Sequence, residues 1–394
     1  MESPTAAERS VGMTVSPLLA RHGAVENTGA DAGVAWHYGD PTAEQRAIDA
    51  GRAVADQSHI GVVTVTGPDR LTWLDSLITQ DVKNLQPGES AEAMILTPQG
   101  RIEHVFGIVD DGETAWLTTE TAEGLTKFLD RMRFMLRVEV ADVTDQWAAI
   151  GEAVRAPAAE GEPVTWVDTW PEVRSGGTTY AADPQATHAG ATRAWRLVLV
   201  PRETLESEID DRLAAGWTLV GTWATEATRV AAHRPRAVRD VDDTSLPHEF
   251  DWLRTAVHLH KGCYRGQETV AKVHNVGRPP RRLTMLHLDG SAHTLPDPGS
   301  PVMLGEGDEA KQAGVITSVA RHHQDGPIAL ALIKRSTDPS ATLTIDTEGG
   351  VVAASQELIV NADGFSVDRP NRPGPTMRGL MMGKGCSADG GDLN

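Results

Sequence analysis

A chain of 394 residues with 40% hydrophobic side chains is too long for one ordinary core and implies two or three structural units. Its 36 Lys and Arg against 55 Asp and Glu leave a net charge of −19, the wrong sign for a general nucleic-acid binder, which neutralises phosphates with cations. Only two cysteines, Cys263 and Cys386, exclude a disulfide framework and a self-contained four-cysteine metal or iron–sulfur site, so any cluster must be shared with a partner. No window reaches the ~18 apolar residues of a membrane span, and the N-terminus lacks the apolar core of a signal peptide, so a soluble cytoplasmic protein is expected.

Residues 1–33 are rich in Ala, Glu, Ser, Thr and Gly without periodicity and are expected to form a mobile extension. A first α+β unit is expected over residues 34–150. Val62 to Val65 makes a β-branched strand, and Asp69 stands where it can cap a helix carrying Leu71, Leu74 and Leu77. Met94 to Leu96 and Ile102 to Val109 read as strands joined through the turn Pro98-Gln99-Gly100. Thr121 then caps a helix whose Leu125, Phe128, Leu129 and Met132 form one apolar face, and Leu136 to Val140 closes the unit as a strand. Strand, helix, strand, strand, helix, strand is the split βαβ order of a ferredoxin-like module.

A second α+β module is expected over residues 151–280. An irregular excursion rich in Pro, Gly and small polar residues fills 155–190, followed by a strand at Trp195 to Val200. Next come a helix with Leu205, Ile209 and Leu213, and another helix opening near Thr222. Between residues 281 and 362 the pattern changes to short strands and turns, as in a small β-barrel or sandwich. The Pro- and Gly-rich tail 363–394 is expected to be disordered.

Lys261-Gly262-Cys263-Tyr264-Arg265-Gly266-Gln267-Glu268 carries the chemistry. The thiolate is the reactive form of cysteine and neighbouring cations favour it, here Lys261 and Arg265. Gly262 and Gly266 permit a tight turn that exposes Cys263. Between Lys261 and Arg282 there are six cations, Lys261, Arg265, Lys272, Arg278, Arg281 and Arg282, against the single acid Glu268. Such a stripe on an acidic chain suits a discrete anionic ligand better than a long polyanion. His258 with His260, and His322 with His323, lack carboxylates or cysteines at a familiar ligand spacing, so no metal site is expected. Lys384-Gly385-Cys386 repeats three letters of the run without the following Gln-Glu and reads as coincidence.

With Leu246-Pro247-His248-Glu249 upstream, the run resembles the signature of the YgfZ family of folate-binding proteins, related to the T-protein, the aminomethyltransferase of the glycine cleavage system. The resemblance implies an α+β fold in which two ferredoxin-like modules form a folate-binding domain, with a C-terminal small β-barrel, arranged as a ring around a central channel. It also implies non-covalent tetrahydrofolate, a flat pterin with an anionic glutamate tail. Cys263, with Lys261, Gln267 and Glu268, becomes the working set. Arg101, Glu103, His104, Tyr264, Arg265, Lys272 and Arg278 become candidate folate contacts. Two positions depart from the T-protein pattern. Glu103 and His104 stand where it has paired aspartates, and Ala231 stands where it has a glutamate directed at the pterin.

The resemblance therefore favours a folate-binding accessory protein that supports assembly or repair of iron–sulfur clusters on client proteins, and thereby tRNA modification. The alternative is a folate-dependent one-carbon transferase or demethylase of the T-protein type, in which a carboxylate does the work. The intact cysteine signature and the altered carboxylates separate the two.

Overall fold

The computed structural model describes residues 15–183, 187–292, 294–305 and 309–369. A short hairpin, β1 (Val25–Glu26) and β2 (Ala35–His37), leads to helix α1 (Pro41–Asp49), β3 (Ala53–Asp56) and β4 (Gly61–Thr66). Helix α2 (Arg70–Leu77) precedes the meander β5 (Ser90–Leu96), β6 (Ile102–Asp110) and β7 (Thr114–Thr119), then α3 (Ala122–Met132) and β8 (Glu139–Asp142). Strands β9 (Trp147–Glu152), β10 (Thr165–Val167) and β11 (Arg196–Pro201) are followed by α4 (Leu205–Ala214), β12 (Thr218–Val220), α5 (Thr222–Ala231), α6 (Ala237–Asp240) and α7 (Gln267–Asn275). The last unit is β13 (Arg281–Leu288), β14 (Pro301–Leu304), β15 (Lys311–His322), β16 (Gly326–Lys334), β17 (Leu343–Thr347) and β18 (Gly350–Leu358).

These strands form a first sheet ordered β5-β6-β7-β4-β8, a second ordered β10-β11-β9-β3-β12, and a closed barrel β13-β16-β15-β14-β17-β18. In the first sheet β7 and β8 flank β4 with α3 between them, which is the split βαβ expected, with one strand more than the sequence pattern indicated. Both faces of β4 are buried. Val63 and Val65 pack under α2 and α3 with Leu74, Leu125 and Phe128, whereas Val62 turns to a core shared with the second sheet, beside Trp116, Trp166 and Leu197. A strand covered on both faces reads as a continuous apolar run, as Val62 to Val65 does apart from Thr64.

Three expectations change. Within 1–33, residues 15–33 are folded onto the body: Leu18 is fully buried with Val54, Ile150 and Leu205, and Asp31 is fully buried among arginines. A single apolar residue and a single buried acid leave no periodicity to find; residues 1–14 lie outside the described residues. The division near residue 150 does not separate the modules either, because β3 and β9 join the second sheet, and Trp166 of β10 donates its indole N–H to Ala91 O of β5 at 2.7 Å. Strand pairing at long sequence separation decides this. Of the tail, residues 363–369 are docked: the Phe365 ring lies between the guanidinium groups of Arg278 and Arg369, 4.2 and 3.9 Å from its centroid, and Ser366 is buried. Cys386 lies outside the described residues.

Two caps are used differently from the reading above. Asp69 precedes α2, but its carboxylate takes the Arg137 guanidinium at 2.6 Å. Thr121 precedes α3, but its hydroxyl bonds His104 Nδ1 at 2.8 Å. No helix among the described residues is long and apolar enough to cross a membrane.

Candidate functional site

The two segments singled out in the sequence, the turn 98–100 and the run 261–268, pack against one another. Both Gly100 and Gly266 have left-handed backbones, with φ of +76° and +85°. A Cβ on Gly266 would stand 2.6 Å from Thr97 O and 3.0 Å from Gly100 Cα, and one on Gly100 would stand 2.7 Å from Thr269 Cβ. Glycine is therefore required twice at one contact. Gly266→Ala is expected to lower stability by about 2–4 kcal/mol, left-handed strain adding to a backbone clash, as read from urea unfolding.

Around Cys263 the sequence expectation holds in part. Among the described residues this is the free cysteine, and it is exposed. Gly266 is the N-cap of α7, and Gln267 Nε2 reaches back to Gly262 O at 3.3 Å, closing the turn on itself. The two cations are engaged by other partners. The Lys261 side chain is 1% exposed, and its Nζ donates to Asp75 O (2.6 Å), Asp75 Oδ1 (3.0 Å), Ile78 O (3.0 Å) and Gln80 O (2.7 Å) at the end of α2. Burial lowers its pKa, and Asp75 opposes that shift. Lys261 is thus a structural anchor. Arg265 donates to Glu103 Oε2 at 2.7 Å and lies over the Phe128 ring.

Nor does the basic stripe survive as a stripe. Arg281 pairs with Asp242 and Glu249, and Arg282 is fully buried, donating to the carbonyls of Lys334, Arg335 and Thr337. Arg278 stacks on Phe365, Tyr264 is buried, and Lys272 and Glu268 are exposed on α7. Consecutive cations in sequence point in different directions once strand and helix geometry is imposed.

Next to this turn lies a cavity of about 460 Å³, walled by β6, β7, α5 and α6 and by the rings of Phe106, Trp166, Trp195 and Trp252. Of the sequence candidates, Glu103 and His104 line it; Arg101 stands at its rim, donating to the carbonyl of Asp243, which also lines it. His104 is kept neutral by burial, which lowers its pKa, with Glu103 opposing. Lys261, Cys263, Tyr264, Gln267, Glu268, Lys272 and Arg278 are outside the lining.

What the sequence reading missed is an ion network in the cavity wall. Arg236 bonds Asp31 Oδ1 (2.5 Å), Glu120 Oε1 (2.7 Å) and Glu226 Oε1 (2.9 Å), and Arg229 bonds Glu226 Oε2 (3.0 Å) and Asp240 Oδ2 (3.0 Å). Arg234 bonds Glu92 Oε1 at 2.6 Å and Asp168 Oδ2 at 3.2 Å. Arg234-Pro235-Arg236, and Glu226 three residues before Arg229, were the available signals. Burial acts to raise the Asp31 pKa, but Arg236, His59 and Arg239 outweigh it and hold the carboxylate well below the usual range. For Glu226 burial again raises and Arg229, Arg236 and Arg239 pull the value down to about 2. A folded pKa below the unfolded one means that Glu226 contributes stability above 4.5 and loses it as the pH falls toward about 2. The stability deficit of Glu226→Gln should accordingly be present at pH 7 and vanish near pH 2, in denaturant titrations at both pH values.

Does this wall fit a folate? Aromatic rings, matched charges and neutral His104 suit a flat heterocycle carrying both donors and acceptors. His59 also lines the cavity: its Nε2 is 3.4 Å from Asp31 Oδ1, and its Nδ1 is buried without a hydrogen-bond partner. Such an orphan is the kind of group a polar ligand satisfies. The residues present therefore fit a pterin, although the Glu226 carboxylate on α5 is already held by Arg229, Arg236 and Arg239. Ala231 is on the opposite face of that helix and lines a different cavity.

Comparison with known proteins agrees with the fold. Residues 16–160 match the GCVT N-terminal domain family. A putative chloroplastic transferase of Arabidopsis thaliana is 25% identical over 321 residues, covering 73% of this chain and 67% of that protein. A mitochondrial iron-sulfur cluster assembly factor IBA57 homolog of Mycosarcoma maydis is 26% identical over 253 residues, 59% of this chain and 56% of that one. Among solved structures, the glycine cleavage system aminomethyltransferase T from Bartonella henselae superposes with a TM-score of 0.68 at 16% identity, covering 87% of this chain and 95% of that one. Residues 16–160 thus match the GCVT N-terminal domain, and the chain has an aminomethyltransferase-like fold.

Proposed function

We propose that this chain is a cytoplasmic folate-binding accessory protein that supports assembly or repair of iron–sulfur clusters on client enzymes, including those that modify tRNA. Tetrahydrofolate or a derivative sits non-covalently in the 460 Å³ cavity, and Cys263 is the working thiol. The observation that carries this reading is the placement of Cys263: exposed, on a turn anchored by Lys261 and joined to the cavity wall through Arg265 and Glu103 at 2.7 Å. A relative named as an iron-sulfur cluster assembly factor supports the role. When bound, the folate supplies a one-carbon carrier and a rigid heterocycle. The protein's part is to hold the pterin between aromatic rings and its glutamate tail at Arg101.

The test is a deletion strain assayed for several iron–sulfur enzymes and for tRNA thiolation. The proposal expects these to fall together and to recover with the wild-type gene; unchanged activities overturn it. Folate binding is checked separately by calorimetry. The affinity should fall with added salt, and Arg101→Ala should weaken it about tenfold, since a charge-assisted bond to a carboxylate is lost.

One observation favours a second reading, folate-dependent one-carbon transfer: the carboxylate of Glu103 lies on the cavity wall. Glu103 is engaged by Arg265, however, and is a methylene longer than the aspartate of the T-protein pattern. Glu103→Gln is expected to complement the deletion. Complete failure of a folded Glu103→Gln protein would support the transferase.

A further inference from the structure

A second cavity, of about 490 Å³, opens where the barrel meets α1 and the residues following α5. Its polar lining pairs imidazoles with carboxylates. His287 Nε2 is 2.6 Å from Glu357 Oε2, and the other oxygen of Glu357 is 3.4 Å from His233 Nε2. His322 Nδ1 is 2.8 Å from Asp325, and Asp49 receives His323 at 2.6 Å. Three carboxylates thus face the space, against one guanidinium, Arg193, which Asp168 already holds at 2.9 Å. Thr192, Thr228 and Gln324 also line it, and Ile48, Trp195 and Met285 form its apolar part.

One group there is unsatisfied. The His233 side chain is 3% exposed, and its Nε2 makes no hydrogen bond, the Glu357 oxygen at 3.4 Å being an ionic contact only. A buried polar atom left in this way marks a place where a ligand or ordered group belongs. The charge selects the kind of ligand. Glu357 Oε2 lies 2.6 Å from His287 Nε2, and burial favours the neutral form of His322. Carboxylates accept hydrogen bonds from ammonium groups, as does an imidazole nitrogen that carries no proton, and the apolar part of the wall suits a hydrocarbon arm. A metal ion is not indicated, since no three His, Cys, Asp or Glu among the described residues are disposed to hold one.

We propose that this cleft, which shares Arg193 and Trp195 with the wall of the first cavity, is a second ligand site that takes a small organic cation: an ammonium group at Glu357 and His233 with its hydrocarbon portion against Trp195 and Met285. The inference does not depend on the function proposed above.

The probe is n-butylamine, with n-butanol as the neutral control of the same shape, each titrated into the full chain at constant ionic strength while the histidine ring protons are followed by NMR. Signals that disappear in His233→Asn and His287→Gln supply the assignments. Butylammonium is expected to shift the His233 and His287 signals saturably at one equivalent, and butanol to leave them unmoved. Glu357→Gln and Asp325→Asn, each verified as folded by circular dichroism, should weaken binding, the former about tenfold. No saturable shift, an equal response to butanol, undiminished affinity in both variants, or a response to Zn²⁺ alone would overturn the proposal.

Discussion

In a strain lacking this protein, Cys263→Ser is expected to accumulate in folded form yet leave the client iron–sulfur activities and tRNA thiolation at the level of the empty vector. The exchange is close to isosteric and the side chain is exposed, so packing does not change and stability should move by no more than about 0.5 kcal/mol. The chemistry changes completely. A thiolate binds iron, carries sulfur or forms a mixed disulfide, whereas a serine hydroxyl stays protonated at neutral pH and does none of these well. The turn itself is held by contacts that serine leaves intact: Lys261 in its oxygen cage, Gln267 on the Gly262 carbonyl, and Gly266 against Gly100. The measurement pairs enzyme and tRNA assays with a thermal melt. Full rescue by the serine protein would reduce the signature to a structural turn and remove the thiol from the mechanism.

Lys261→Met should cost about 3 kcal/mol of folding stability, because deleting one partner of a buried charged group strands the others. Four oxygens, of Asp75, Ile78 and Gln80, converge on the three N–H donors of Nζ, where the carbonyls at the end of α2 lack intrahelical partners. Methionine fills the volume of the aliphatic stem, so the loss belongs to the ammonium group. The figure lies at the lower end for a broken buried pair because the Asp75 side chain is 18% exposed and can be rehydrated. In urea the midpoint should fall with little change in slope. If Lys261→Met instead kept wild-type stability and lost only complementation, the lysine would act on the thiol or its partner, as its position beside Cys263 in the chain first suggested.

Several features were legible in the sequence because short-range rules decide them. The helix α3 face of Leu125, Phe128 and Leu129 is buried as its spacing requires, and most of the barrel strands fall where runs of β-branched and apolar residues are bounded by turn residues. Gly100 and Gly266 mark turns in both readings, since only glycine takes those backbone angles freely. The exposed cysteine between glycines was likewise a local matter.

Only the tertiary structure decided what each charged side chain does. Lys261, Arg281 and Arg282 belong to one basic segment in the chain, yet each points to a different set of oxygens, because a side chain's direction follows its backbone element and its partner comes from elsewhere in the fold. The acids of the 460 Å³ cavity show the same limit from the other side. Asp31 in an apparently featureless N-terminal stretch, Glu120 after β7 and Glu226 on α5 converge on Arg236 across separations of up to 205 residues. No periodicity connects such positions. Sequence alone determined most of the helices and strands it named, the two glycine turns and the cysteine between glycines; long-range strand pairing decided the rest, since β3 and β9 pair into the second sheet rather than the first.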